Sequence, residues 1–225
     1  MQAVILAAGK GLRLRPFTEN HPKPLIPIAN KPLIEYTLES LPDNTTEIII
    51  VIGYLGEQIR EHLGNSWNGK PIQYVEQKVL LGTGDAILQA KSVVDQNFLV
   101  VNGDDLYNKN DLTKLLDSPL SILAWESTKP YEFGLETDSE KRLLSFKSSS
   151  PLLCCGAYHL TKEFFNEKMA EVTVHDKTEY SLPHTLVQMA EDQKVMVVPA
   201  THWLPVGTPE QLKFANDYYI KKIVK

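Results

Sequence analysis

Ala3-Val-Ile-Leu-Ala-Ala-Gly9-Lys-Gly11-Leu-Arg13-Leu-Arg15-Pro16, then Phe17-Thr-Glu-Asn-His-Pro22-Lys23-Pro24, reads as a buried strand from Val4 to Ala8 that empties into a cationic loop. Gly9 and Gly11 are free to take positive φ and to let backbone N–H groups approach a ligand closely. From Lys10 to Lys31 there are five basic side chains (Lys10, Arg13, Arg15, Lys23, Lys31) against one acid, Glu19. The whole chain carries a formal charge of -5, so this excess departs from its background. Arg13, Arg15 and Lys23 can neutralise a polyphosphate. A tight turn would explain the glycines alone; the cations favour a triphosphate cradle. Lys23 lies between Pro22 and Pro24, which hold the backbone extended. A surface lysine needs no such fixing, whereas one that meets an α-phosphate does.

Outward from this loop the pattern alternates. Lys31–Leu41 carries Leu33, Ile34, Leu38 and Leu41 at helical spacing, with Pro32 suited to the first turn. Glu47–Gly53 is a continuous β-branched run, which marks a strand covered on both faces. A short helix with Ile59 and Leu63, a strand at Pro71–Glu76 and a helix capped by Thr83 follow, the last burying Ala86, Ile87, Ala90 and Val94. Asn97–Asn102 is a further buried strand, stopping at Gly103-Asp104-Asp105. Strand and helix alternating in this way predict a parallel sheet between helix layers. Ligands in such sheets sit beyond the carboxyl ends of the strands, where both the Gly9–Arg15 loop and Asp104 fall.

The second half is richer in strands: Ser121–Glu126, Phe133–Thr137, Leu143–Phe146 and Leu152–His159, some of them antiparallel. Helices are expected at Thr161–Ala170 and Tyr180–Asp192, with a short strand at Lys194–Pro199. Thr208 and Gln211 form a capping box for a last helix, whose buried stripe is Leu212, Ala215 and Tyr219. No repeat or linker interrupts residues 1–225, so one domain is expected.

Composition narrows the function. Hydrophobic content of 43% with 23% charged residues suits an ordinary folded domain. The net acidity argues against a general nucleic-acid or anionic-membrane surface. The only cysteines, Cys154 and Cys155, are adjacent, so they point to opposite faces of a strand and are too few for a metal site. The N-terminal apolar run is too short to span a bilayer and lacks a basic leader. The expectation is a cytoplasmic protein, and Asn44-Thr45-Thr46 is then not a glycosylation site. The six histidines show no metal spacing, and no nucleophile elbow is present. One chain leaves homo-oligomerisation open.

Gly9-Lys10-Gly11-Leu12-Arg13-Leu14 starts like a dinucleotide fingerprint, but Leu14 stands where a third glycine belongs and Pro16 interrupts the helix. The usual P-loop pattern is absent too. Asp104 or Asp105, only one of which can point along the crevice, is a natural magnesium ligand beside a triphosphate, although a turn Asp bonding its own backbone reads the same way. Gly82-Thr83-Gly84 would let backbone approach a base or ribose, and a plain Thr cap explains Thr83 equally well.

Leu6-Ala-Ala-Gly-x-Gly-x-Arg-Leu-x-Pro-x-Thr18 followed by Pro22-Lys23-Pro24-Leu25 resembles the signature of the sugar-1-phosphate nucleotidyltransferases, in particular glucose-1-phosphate thymidylyl- and uridylyltransferases. Weaker matches follow in the family's order: Gly82-Thr83-Gly84-Asp85-Ala86, Asn102-Gly103-Asp104, Phe133-Gly134, Cys155-Gly156-Ala157-Tyr158 and Trp203-Leu-Pro-Val-Gly207-Thr-Pro-Glu210. The resemblance spans nearly the whole chain, without the C-terminal β-helix of longer members. It implies a Rossmann-like three-layer α/β/α fold with a mixed, mainly parallel central sheet, and transfer of a nucleoside monophosphate from a nucleoside triphosphate to a sugar 1-phosphate, with Mg2+ as cofactor. By that resemblance Leu6, Ala7, Ala8, Gly9, Gly11 and Arg13 line the nucleotide, with Gln77, Gly82 and Thr83 by the base. Arg13, Lys23 and Asp104 are the catalytic set, Asp104 binds the metal, and Gly134 and Tyr158 line the sugar pocket. Two departures stand out. Pro205 replaces the family's second metal-ligand Asp, and Phe146-Lys147-Ser148 replaces its Glu-Lys pair. A cytidylyltransferase for a non-sugar phosphate such as phosphocholine, whose family shares the opening motif, is one rival; the departures motivate another, a catalytically weak nucleotide-sugar-binding module.

Overall fold

All six residues of the strand Gln2–Ala7 are buried, so it needs cover on both faces and neighbours on both edges. The computed structural model, which describes residues 1–131, 133–174 and 176–223, gives it both. The strand lies inside an eight-stranded sheet whose order is Met196–Pro199, Ser121–Tyr131, Ser150–Leu160, Phe98–Asn102, Gln2–Ala7, Glu47–Ile52, Lys70–Glu76 and Ser66–Trp67. Gln2–Ala7 pairs in parallel with Phe98–Asn102 on one side and Glu47–Ile52 on the other. Ser150–Leu160 runs antiparallel to both its neighbours, which makes the sheet mixed. The predicted fold class is the observed one.

Side chains alternate across the pleat and build two cores. Val4, Leu6 and Ala8 join Val100 and Ile49 under the helices Thr83–Leu88 and Leu182–Met189. Ala3, Ile5 and Ala7 join Ile50 and Leu99 under Leu33–Glu39, Gly56–Leu63 and Lys109–Leu115. Cys154 and Cys155 divide between these cores, one on each face. A third cluster, with Leu14, Ile28, Leu33, Leu106, Val206 and Leu212, fastens the opening loop to the C-terminal helix Pro209–Ile223. At roughly 2 kcal/mol for each large apolar side chain buried, that cluster is enough to anchor the loop.

Several local expectations differ from the structure. Thr161–Ala170 is not a helix; a 3-10 turn at Lys162–Asn166 gives way to a hairpin, Ala170–Val174 with Lys177–Ser181. The run Val172-Thr173-Val174 is β-branched and costs χ1 freedom in a helix, so it pairs as a strand. The following helix therefore begins at Leu182, not Tyr180, with Ser181 as its cap. Gly82, not Thr83, caps the helix Thr83–Leu88, because the Thr83 hydroxyl is taken by the Leu182 N–H at 3.1 Å. The capping box is half formed: Thr208 Oγ1 accepts from the Gln211 N–H at 3.3 Å, while Gln211 Oε1 accepts from the Gly207 N–H instead. His175, one of the six histidines, lies outside the described residues.

Candidate active site

Four neighbouring parallel strands end along one rim, and a backbone hydrogen bond ties each end to the next. The Gly103 N–H donates to the Leu6 carbonyl at 2.9 Å, Tyr54 to Ala8 at 3.0 Å and Gln77 to Ile52 at 2.8 Å. Asp104, the opening loop and Gln77 thus share a rim although far apart in sequence. Two glycines make the close approach possible. A Cβ on Gly103 would lie 2.9 Å from Ile5 Cγ2, and one on Gly53 would lie 2.9 Å from the Ala8 carbonyl oxygen.

In the opening loop the two glycines differ. Gly11 is left-handed, with φ 60, and a Cβ there would press on Thr18 Cγ2 at 3.0 Å and Lys23 Cβ at 3.1 Å. The Thr18 hydroxyl donates to the Gly11 carbonyl at 2.8 Å. Gly9 has no positive φ, contrary to expectation, and nothing lies within 4 Å of its missing Cβ. Beside it is open space. Leu14, fully buried, holds the Leu12–Leu14 turn down. Among the described residues no backbone carbonyl accepts from the N–H groups of Gly9 through Arg13. A run of undonated N–H groups beside an open glycine is an arrangement that can receive an anion.

Lys23 is buried between buried prolines, and its ammonium pairs with the Asp104 carboxylate. Asp104 is half-buried, the more accessible member of the Asp104–Asp105 pair, and faces the loop through Lys23. Asp105 turns inward, with 7% exposure, and accepts from Asn102 Nδ2 at 3.4 Å. Burial, aided by the neighbouring Asp104 charge, pushes its pKa up to about 7; Lys23, Asn102 and Trp203 pull in the other direction. Of the five loop cations, Lys31 is diverted: it pairs with Glu39 at 2.5 Å and lies over the Tyr36 ring.

The base-side residues also have structural work. Gln77, buried, donates from Nε2 to the Gly82 carbonyl at 3.0 Å and to Asp85 Oδ2 at 2.8 Å. Gly82, at φ 92, and Gly84 lie on the backbone of Tyr180, whose carbonyl oxygen would be 2.5 Å from a Gly82 Cβ. The glycines of that motif are therefore explained by docking on the Lys177–Ser181 strand. Gly134 likewise leaves room for the Ser150 carbonyl, 2.7 Å from its missing Cβ. Tyr158 is 3% exposed, with its hydroxyl 3.2 Å from Cys154 Sγ. Where the resemblance expects a Glu-Lys pair, Phe146 packs on the His184 ring at 4.3 Å and Lys147 bonds Glu136 at 2.8 Å. Burial pushes both cysteine thiols up, so neither is a ready thiolate nucleophile.

Pro205 lies directly opposite Asp105, in a two-stranded pairing of Trp203–Pro205 with Asp105–Tyr107. Proline offers no metal ligand there. The turn leading in is held by Asp111, fully buried, whose carboxylate accepts from the Thr201 N–H at 2.6 Å and the His202 N–H at 3.2 Å. Nothing in the local sequence signals that anchor. Among the described residues no cluster of three or more His, Cys, Asp or Glu side chains forms. Asp104 is a carboxylate that could hold a divalent cation. That carboxylate already holds a cation, the Lys23 ammonium. Magnesium commonly takes one or two carboxylates and completes its shell with water and substrate phosphates.

A family model described as nucleotidyl transferase matches residues 2–222. The protein named bifunctional protein GlmU from Methanocaldococcus jannaschii is 34% identical over 230 residues, covering 99% of this chain and 55% of that protein. A D-glycero-alpha-D-manno-heptose 1-phosphate guanylyltransferase from Campylobacter jejuni is 34% identical over 175 residues, 74% of this chain and 79% of that protein. The UTP–glucose-1-phosphate uridylyltransferase AglF of Haloferax volcanii is 39% identical over 111 residues, 49% of this chain and 46% of that protein. The chain spans about half the length of the GlmU relatives it matches. No helix among the described residues is long and apolar enough to cross a membrane.

Proposed function

The chain belongs to the nucleotidyl transferase family, and from that premise we propose that residues 1–225 form one magnesium-dependent domain that makes a nucleotide sugar. A phosphate oxygen of a sugar 1-phosphate attacks the α-phosphorus of a nucleoside triphosphate. As that P–O bond forms, the bond from the α-phosphorus to the bridging oxygen breaks, and its electron pair leaves with pyrophosphate. The attacking oxygen is already ionised, so no protein nucleophile or base is needed. What remains for the protein is alignment and neutralisation of charge.

The observation that carries this reading is the convergence of three features on one rim. They are the undonated N–H groups of Gly9–Arg13, the Lys23 ammonium and the Asp104 carboxylate. In the proposal the N–H run and Arg13 cradle the β- and γ-phosphates, and Lys23 moves from Asp104 to the α-phosphate. A magnesium ion held by Asp104 and the substrate phosphates would neutralise charge on the triphosphate. Leu6, Ala7 and Ala8 form the floor; Gln77, Gly82 and Thr83 face the base, and Gly134 and Tyr158 the sugar. The names of the relatives support a sugar 1-phosphate as acceptor.

The test is pyrophosphate release across a panel of nucleoside triphosphates and phosphorylated acceptors, phosphocholine included, with and without magnesium. Lys23→Ala should keep the fold and cut turnover by on the order of 10² or more. Near-normal turnover would remove Lys23 from the mechanism, and binding without turnover for every pair would leave a nucleotide-sugar-binding module.

A further inference from the structure

Most glycines around this site are demanded by backbone. The obstacle is the Tyr180 carbonyl at 2.5 Å for Gly82, the Ser150 carbonyl at 2.7 Å for Gly134 and the Leu6 carbonyl at 3.2 Å for Gly103. None of these can step aside. Gly207 is different. Its φ lies outside the left-handed region, and the atoms nearest its missing Cβ are Arg13 Nη2 at 2.9 Å, Gln211 Oε1 at 3.1 Å and Arg13 Cζ at 3.5 Å. All three are far ends of flexible side chains. The fold would accept a methyl group at 207; the guanidinium of Arg13, where it now lies, would not.

Arg13 projects from an exposed one-turn helix, and an arginine there carries large rotamer freedom unless something holds its tip. Gly207 supplies a flat surface under the guanidinium. Its own N–H donates to Gln211 Oε1 at 2.8 Å, which fixes that amide oxygen beside the same point. The segment is in turn fixed from both ends. Pro205 pairs with Asp105, and the helix Pro209–Ile223 packs Leu212 and Ala215 against Leu14 in the third core cluster, one residue from Arg13.

We propose that Gly207 and Gln211 are positioning residues for Arg13: the start of the C-terminal helix holds the guanidinium at the triphosphate before the nucleotide arrives. A preordered arginine loses less freedom on binding, so the contact converts into affinity. This rests on the triphosphate reading above. It also gives the Trp203–Gln211 segment a role at the site that needs no metal ligand from Pro205.

The test is a double-mutant cycle on the full chain, read by calorimetric titration. The probes are the α,β-methylene analogues of ATP, GTP, CTP, UTP and dTTP, with inorganic tripolyphosphate as the base-free probe. Gly207→Ala should leave the melting temperature within a few degrees of the parent and weaken the best-bound analogue about tenfold. In an Arg13→Ala background the same change should weaken it less than twofold. Gln211→Ala should show the same dependence on Arg13 at smaller amplitude. Equal weakening in both backgrounds, or none in either, overturns the proposal. A Gly207→Ala chain that fails to fold would overturn the premise that only flexible ends stand in the way, and Gln211→Ala then decides the rest. If the parent chain binds none of the probes, it is the triphosphate reading itself that falls.

Discussion

Replacing Asp105 by Asn should stabilise this protein, and the gain should depend on pH. In metal-free buffer with EDTA, Asp105 titrates near 7 in the fold against an ordinary value near 3.8. Between those values the folded chain holds a proton that the unfolded chain has released. Stability from this group is therefore fully present below about 3.8 and falls as pH rises to about 7. At 1.36 kcal/mol per pH unit the accumulated cost is about 4 kcal/mol above pH 7. Asn has nearly the same shape, and its amide oxygen still accepts from Asn102. It gives up attraction to Lys23, so a net gain of about 2–4 kcal/mol at pH 8 is the expectation. Urea unfolding of both chains by circular dichroism at half-unit steps from pH 4 to 9 measures it. The two curves should nearly meet at pH 4 and separate until about pH 7. A constant gap, or a variant less stable than the parent at pH 8, would refute a buried, near-neutral carboxyl at 105.

Three further outcomes are expected. Pro205→Asp places a third carboxylate opposite Asp105, so it should lower the melting temperature in EDTA and enlarge the rise on adding Mg2+ or Mn2+; an unchanged metal response would mean the segment cannot present a ligand. Gly82→Ala combines a φ of 92 with a 2.5 Å approach to the Tyr180 carbonyl, and should cost about 2–4 kcal/mol, read as a lower urea midpoint. His159 is buried with Nδ1 2.6 Å from the Ser118 carbonyl, and burial lowers its pKa below 6.5. Its contribution to stability is present above 6.5 and is lost as pH falls through the lower folded value, so His159→Gln should flatten that acid limb. That slope opposes the one from Asp105, and each must be read as a difference between variant and parent.

The order of elements in the first half was legible because hydrophobic period alone specifies it. A run such as Ile48–Ile52 can only be a strand covered on both faces, and Ile34 with Leu38 can only face a core. The second half was harder. The strand Ala170–Val174 lies between the helices expected at Thr161–Ala170 and Tyr180–Asp192, and it is defined only by its partner, Lys177–Ser181; strand pairing is a property of two segments. The same holds for the glycines. Sequence marks Gly82, Gly103, Gly134 and Gly207 alike, yet three of them meet backbone and one meets Arg13.

By itself the sequence determined the opening loop: two glycines, a lysine between prolines and a local excess of cations, all within one continuous stretch of chain. It also determined that Asp104 would sit at a strand end, since the apolar run Phe98–Val101 stops just before it. Only the tertiary structure decided which aspartate faces out, which loop cation is diverted to Glu39, and what lies under Arg13. The physical reason is range. Periodicity, turn chemistry and charge density act along the chain, whereas desolvation, ion pairing and steric room depend on atoms brought together from its opposite ends.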